Sequence, residues 1–171
     1  LGRIFAFGLC TATAAGLAPL VAKSLLQGGP AVYGILLGAQ GVGAVLGALF
    51  VADITRRMSS EVAVRALSLI TGVALIVVGL SHNLILTCVA FFIVGASNIL
   101  VVAILNVTVQ LSAPRWVTAR ALSLFASAIT AGIGFGAFAW GEVAGLTSVS
   151  SAFVASGFAV AASVLLGFVI P

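Results

Sequence analysis

Six long apolar blocks alternate with short polar connections along this chain, at about 4–22, 34–52, 62–80, 84–107, 121–140 and 152–170. Each is close to the ~20 residues that an α-helix needs to cross ~30 Å of hydrocarbon. The pattern predicts an all-α membrane protein of six transmembrane helices. The connections carry breakers or charge. Residues 23–33 form a loop with Gly28-Gly29-Pro30 as its turn, 53–61 form a basic loop, and Ser81-His82-Asn83 is a tight turn. Residues 110–120, with Pro114, Arg115, Trp116 and Arg120, and residues 141–151 are the remaining connections. Pro19 removes a backbone donor near the end of the first span and predicts a kink there.

The second block organises the rest. Gly34 and Gly38, then Gly43 and Gly47, are spaced four apart, and the run breaks off at Asp53, Arg56 and Arg57. Small residues at that spacing let another helix backbone approach closely. The fifth block is glycine-rich as well, with Gly132 and Gly136. Spans one to three and four to six thus read as two three-helix units, each with a glycine-rich middle span. An odd number of crossings inverts the second unit relative to the first, and two inverted three-helix repeats are a building plan of secondary transporters.

Composition removes other classes. Hydrophobic residues make up 63% of the chain and charged residues 6%, too apolar for a soluble domain of 171 residues. The formal net charge of +4 does not point to nucleic acid, because the few basic residues fall between apolar runs. Arg3, Arg56, Arg57, Arg65, Arg115 and Arg120 share one side and Lys23 the other, which predicts a multi-pass topology with both termini cytoplasmic. Tyr33 and Trp140 then mark the outer interface and Trp116 the inner one. Cys10 and Cys88 read as free thiols in the membrane, and no metal or cofactor set is present. The run after Arg3 is of full span length, so it is not a cleavable signal. Starting on Leu1 and stopping on Pro171 after an apolar run, the chain reads as a piece of something longer.

Candidate chemistry is sparse. No Asp, Glu, Lys or Arg lies in the middle of a span, so no proton-coupling carboxylate is offered. Gly95-Ala96-Ser97-Asn98 invites comparison with an intramembrane serine protease. Its only histidine, His82, lies about 22 Å away along the helix, too far to serve as a base. Asn98 and Asn106 either line a cavity or bond neighbouring helices, and Thr11, Thr13 and Gln40 carry the same two readings. Asp53, Arg56 and Arg57 form either a cytoplasmic gate latch or a solvated topology anchor.

Two stretches carry a family likeness. Residues 47–57 resemble the cytoplasmic loop motif G-x-L-A-D-R-x-G-R-R of the major facilitator superfamily. Asp53 and Arg57 match its acid and later arginine, whereas Leu49, Ile54 and Arg56 depart from its first glycine, base and second glycine. N-V-T-V-Q-L-S-A-P-R-W-V-T-A-R-A-L at 106–122, with Trp140-Gly141 and with P-x-x-Y-G-x-L-L-G at 30–38, resembles the transmembrane secretion effector branch. That branch includes enterobactin exporters and macrolide-efflux-type proteins. The resemblance implies the C-terminal six helices of a twelve-helix carrier of the bacterial inner membrane. It implies alternating access and proton-driven export of a small hydrophobic or siderophore-like molecule. Spans one and four would line the cavity, with Thr11, Thr13, Asn98 and Asn106 as its polar residues, and spans two and five would pack on the missing N-terminal half. The partners are then the lipid bilayer, that half and the small-molecule substrate. The competing reading is a free-standing six-span scaffold or homodimer without transport.

Overall fold

Helix boundaries follow the breakers in the sequence. The computed structural model describes residues 2–114 and 116–169, with every side chain among them except those of Arg3 and 165–169. Arg115, Ile170 at the end of the sixth predicted span, and the side chain of Arg3 therefore lie outside the described residues. The helices are α1 (Gly2–Leu20), α2 (Pro30–Leu49), α3 (Val51–Arg57), α4 (Ser60–Leu80), α5 (Leu84–Ser112), α6 (Thr118–Leu146) and α7 (Val149–Val169), with no strand among the described residues.

Pro19 cannot donate to the preceding turn, and α1 widens after it into a π-helical turn, Val21–Leu25. The turn closes with the Leu26 N–H on the Val21 carbonyl at 3.1 Å and the Gly28 N–H on the Ala22 carbonyl at 2.8 Å. Gln27 takes the left-handed conformation between them, at φ 47°. Pro30 opens α2 at its first turn, where no donor is needed. Phe50 interrupts the second apolar block at φ −92°, ψ −2°, separating α2 from the short α3. Asn83 caps α5 by accepting from the Ile85 N–H at 2.9 Å.

Several connections are shorter than the apolar pattern predicts. Lys23 lies in the π turn and Tyr33 inside α2, so the loop expected over 23–33 shrinks to a few residues. The basic loop expected over 53–61 is taken up by most of α3 and the start of α4. Helices α5 and α6 carry Asn106, Gln110 and Glu142 within them. Polar residues mark where a helix leaves hydrocarbon, and the helix itself continues into water; at 29 residues each, α5 and α6 overrun a ~30 Å core. Among the described residues, five helical stretches are long and apolar enough to cross a membrane: Ile4–Leu25, Pro30–Leu49, Ser60–Leu80, Leu84–Ser112 and Thr118–Leu146. Helix α7 is apolar over the shorter stretch Val149–Val164. The protein is thus a multi-pass membrane protein.

Helix α1 packs along α6 and α7, α2 along α5, and α4 along α5 and α7. Glycines set the close approaches. A methyl group at Gly43 would overlap the Phe92 carbonyl oxygen, one at Gly95 would overlap the Gln40 carbonyl, and one at Gly47 would lie 2.7 Å from the Ala96 oxygen. On the other pair, Gly132 meets the Phe5 carbonyl, Gly136 the Leu9 carbonyl, and Gly8 comes within 2.8 Å of the Ile129 oxygen by the same measure. Gly72 and Gly157 face each other between α4 and α7, at 2.8 and 2.6 Å. The indole N–H of Trp140 donates to the Leu9 carbonyl at 2.9 Å, adding a directional bond between α6 and α1. The core so formed buries Phe91, Phe153, Leu75 and Val160 around α4, α5 and α7. Burial is uneven. The membrane-crossing stretches of α2 and α6 are each 17% buried, against 61% for that of α1.

Candidate functional site

Where α2 crosses α5, the glycine contacts hold the two backbones together and leave a cleft beside the crossing. Its volume is about 390 Å³. Ala15 of α1 forms one edge, Leu37 and Ala44 of α2 and Ile99 of α5 supply apolar walls, and Gln40 and Asn98 bring two carboxamides. Both amides are half-buried, and neither makes a side-chain hydrogen bond to another described residue. Helix geometry explains their placement: Gln40 lies one turn before Gly43, and Asn98 one turn after Gly95, the two glycines on which the crossing rests. A second cleft of about 380 Å³, between α4 and α5, is lined by aliphatic side chains such as Val73, Val77, Val89 and Ile93, and offers no directional chemistry.

The other expected cavity residues are not brought to this cleft. Thr13 is fully buried and donates to the Cys10 carbonyl at 3.3 Å; Thr11 is buried and donates to the Phe7 carbonyl at 2.9 Å. Both hydroxyls are satisfied by their own helix and are buried within the bundle. Asn106 accepts from the Gln110 amide one turn on, near the end of α5. Asn98 alone of the four faces the cleft, and Gln40 joins it.

The charged residues separate in a similar way. Val51 and Ile54 hold α3 against the buried cluster of Phe7, Leu100 and Ile104, and Asp53, Arg56 and Arg57 point outward, exposed. None of the three makes an ion pair among the described residues. Arg65 instead bonds Glu61 at 3.1 Å, one turn apart on α4.

The glycines divide by face. Gly43, Gly47, Gly132 and Gly136 touch neighbouring helices, whereas Gly34 and Gly38 have open space beside them and pack no helix among the described residues. Gly41 completes an exposed Gly34–Gly38–Gly41 stripe on α2 and also lines the cleft. On α6, Ser123, Ser127 and Thr130 form an exposed small-residue stripe of the same spacing. The sequence reading did not single out Gly95 or Trp140 as packing residues. A signal for Gly95 was present in the small-residue run Gly95-Ala96-Ser97, whereas the Trp140 bond left none.

The family model of transmembrane secretion effectors matches residues 1–171. No curated protein matches the chain.

Proposed function

Since this chain belongs to the transmembrane secretion effector family of the major facilitator superfamily, we propose that it is the C-terminal six-helix half of a secondary active carrier. The carrier exports a small hydrophobic or siderophore-like molecule by alternating access, driven by the proton gradient across the bacterial inner membrane. Both termini of the half are cytoplasmic, the side that gathers the basic residues.

One observation carries the reading: the exposed stripes Gly34–Gly38–Gly41 on α2 and Ser123–Ser127–Thr130 on α6. Lipid tails gain nothing from a face stripped of side chains, whereas an incoming helix gains close packing. Two such faces, on the least buried of the five membrane-crossing stretches, suit a second six-helix unit seated across both. Internal symmetry supports the same architecture. Gln40, Gly43 and Gly47 stand to Phe92, Gly95 and Ala96 as Ile129, Gly132 and Gly136 stand to Phe5, Gly8 and Leu9, with identical spacing in both sets. Exchanging α1 with α5, α2 with α6 and α4 with α7 returns the principal helix pairings, α1 with α6, α2 with α5, α4 with α7 and α4 with α5, and Gly72 and Gly157 exchange with each other. This correspondence supports a reading as two inverted three-helix repeats related by an axis between α4 and α7.

Backbone contacts at the crossings favour motion of the half as one body, with the second half rocking on the α2 and α6 faces. Asp53, Arg56 and Arg57, unpaired among the described residues, are then available as a gate latch to the other half at the cytoplasmic end. The three acids, Asp53, Glu61 and Glu142, lie toward helix ends, so the proton-carrying groups come from the other half.

The test is the size of the native polypeptide followed by transport. A C-terminal tag in the source cell is expected to give a membrane band at about twice the 17.0 kDa of this chain or more. Proteoliposomes of that full-length protein are expected to move a lipophilic substrate when a pH gradient is imposed, and to stop on adding a protonophore. A band near the mass of this chain, with self-association, favours a homodimeric scaffold instead.

A further inference from the structure

We infer that the α2–α5 cleft selects an uncharged cargo bearing a hydrogen-bonding group, read by the carboxamides of Gln40 and Asn98; this rests on the carrier reading above. Each carboxamide offers one acceptor and two donor hydrogens. Most hydroxyls in the spans close on their own helices, as those of Thr11, Thr13, Thr71 and Ser156 do. Gln40 and Asn98 have no such partner. An amide left unbonded in a low-dielectric setting costs about 1–3 kcal/mol, so two of them in one cleft are best satisfied by what enters it.

The wall around them decides the charge of the occupant. No charged side chain lines the cleft among the described residues, and the remaining wall is aliphatic or glycine. An ammonium or carboxylate stripped of water there would meet no counter-charge, and its desolvation would go uncompensated. A neutral amide, hydroxyl or lactone finds donors and acceptors at one place and apolar contact elsewhere. The volume of about 390 Å³ lies at the lower end of ligand pockets. Gly41 belongs both to the cleft wall and to the exposed α2 stripe, so a second half seated on that stripe would roof the cleft and enclose its contents.

The experiment uses the purified full-length carrier in detergent and three probes built on one naphthalene ring, carrying a carboxamide, a trimethylammonium or a sulfonate. Equilibrium dialysis is expected to show the carboxamide bound at least about tenfold more tightly than either charged probe. Gln40→Leu and Asn98→Leu are each expected to weaken carboxamide binding about tenfold, near 1.4 kcal/mol. Asn98→Asp, which places a carboxylate in the cleft, is expected to admit the trimethylammonium probe, a gain that misfolding cannot mimic. A charged probe binding wild type as tightly as the carboxamide overturns the inference. So does failure of the carboxamide to bind, or its unchanged affinity in both leucine variants. Uptake by proteoliposomes separates the two readings. Binding without transport removes the carrier and leaves the cleft assignment standing, whereas transport unaffected by either leucine variant does the reverse.

Discussion

Gly34 and Gly43 are the same residue type on the same helix, yet they face in opposite directions. Nine residues at about 100° each turn a helix by two and a half turns. Gly43 therefore presses on α5 while Gly34 stands open on the far side, and Gly47 and Gly38 divide in the same way. The four-residue spacing visible in the sequence identified both pairs as packing glycines; the five-residue step from Gly38 to Gly43 that rotates one pair away from the other held the rest of the answer. Substitution should separate the two roles. Leucine at Gly43 or Gly136 must displace a backbone carbonyl rather than a flexible side chain, and overpacking of that kind costs about 1–3 kcal/mol or more. Gly43→Leu and Gly136→Leu are expected to lower the melting temperature of this six-helix unit in detergent. Gly34→Leu is expected to leave that temperature unchanged and, on the carrier proposal, to abolish export by the full-length protein. Equal melting losses at Gly34 and Gly43 would contradict the division of faces.

At the level of helices, the sequence was most legible where hydrophobicity decides and least where polar residues sit on a continuing helix. The six apolar blocks correspond to the helices α1, α2, α4, α5, α6 and α7, and Asn83 and Pro30 begin α5 and α2 as their chemistry dictates. Phe50 and the π turn after Pro19 were hidden, since a single backbone break inside an apolar run leaves hydropathy unchanged. The candidate site was legible only in part. Asn98 and Gln40 could be recognised as polar groups in apolar spans. Which polar groups close on their own helix is a matter of rotamer, so Thr11 and Thr13 looked equivalent to them. The α1–α6 pair offers a measurable bond of its own. Trp140→Phe removes the indole donor to the Leu9 carbonyl while keeping most of the ring's packing. A loss of about 0.6–1.7 kcal/mol in unfolding free energy is expected, the range for hydrogen bonds between membrane helices. No loss would mean that the carbonyl is equally well served by its own helix.

For the molecule as a whole, the mirrored crossings make three tight helix pairs, and α2 and α6 complete the outside with their small-residue stripes exposed. The pairing of α1 with α6 joins helices more than a hundred residues apart, and this bears on the order of synthesis. Within this stretch of chain α1 leaves the ribosome before α6 and α7, yet most of what covers it belongs to those two helices. Until those segments are made, Gly8, Leu9 and Ala12 face lipid or a chaperone of the insertion machinery, and the unit waits in the bilayer only partly assembled. Chains halted after Ser112 should therefore be cleared rapidly in a pulse-chase measurement, whereas chains halted after Leu146, which have completed α6, should persist several-fold longer. The interval between those two points is the window in which quality control can still discard the protein.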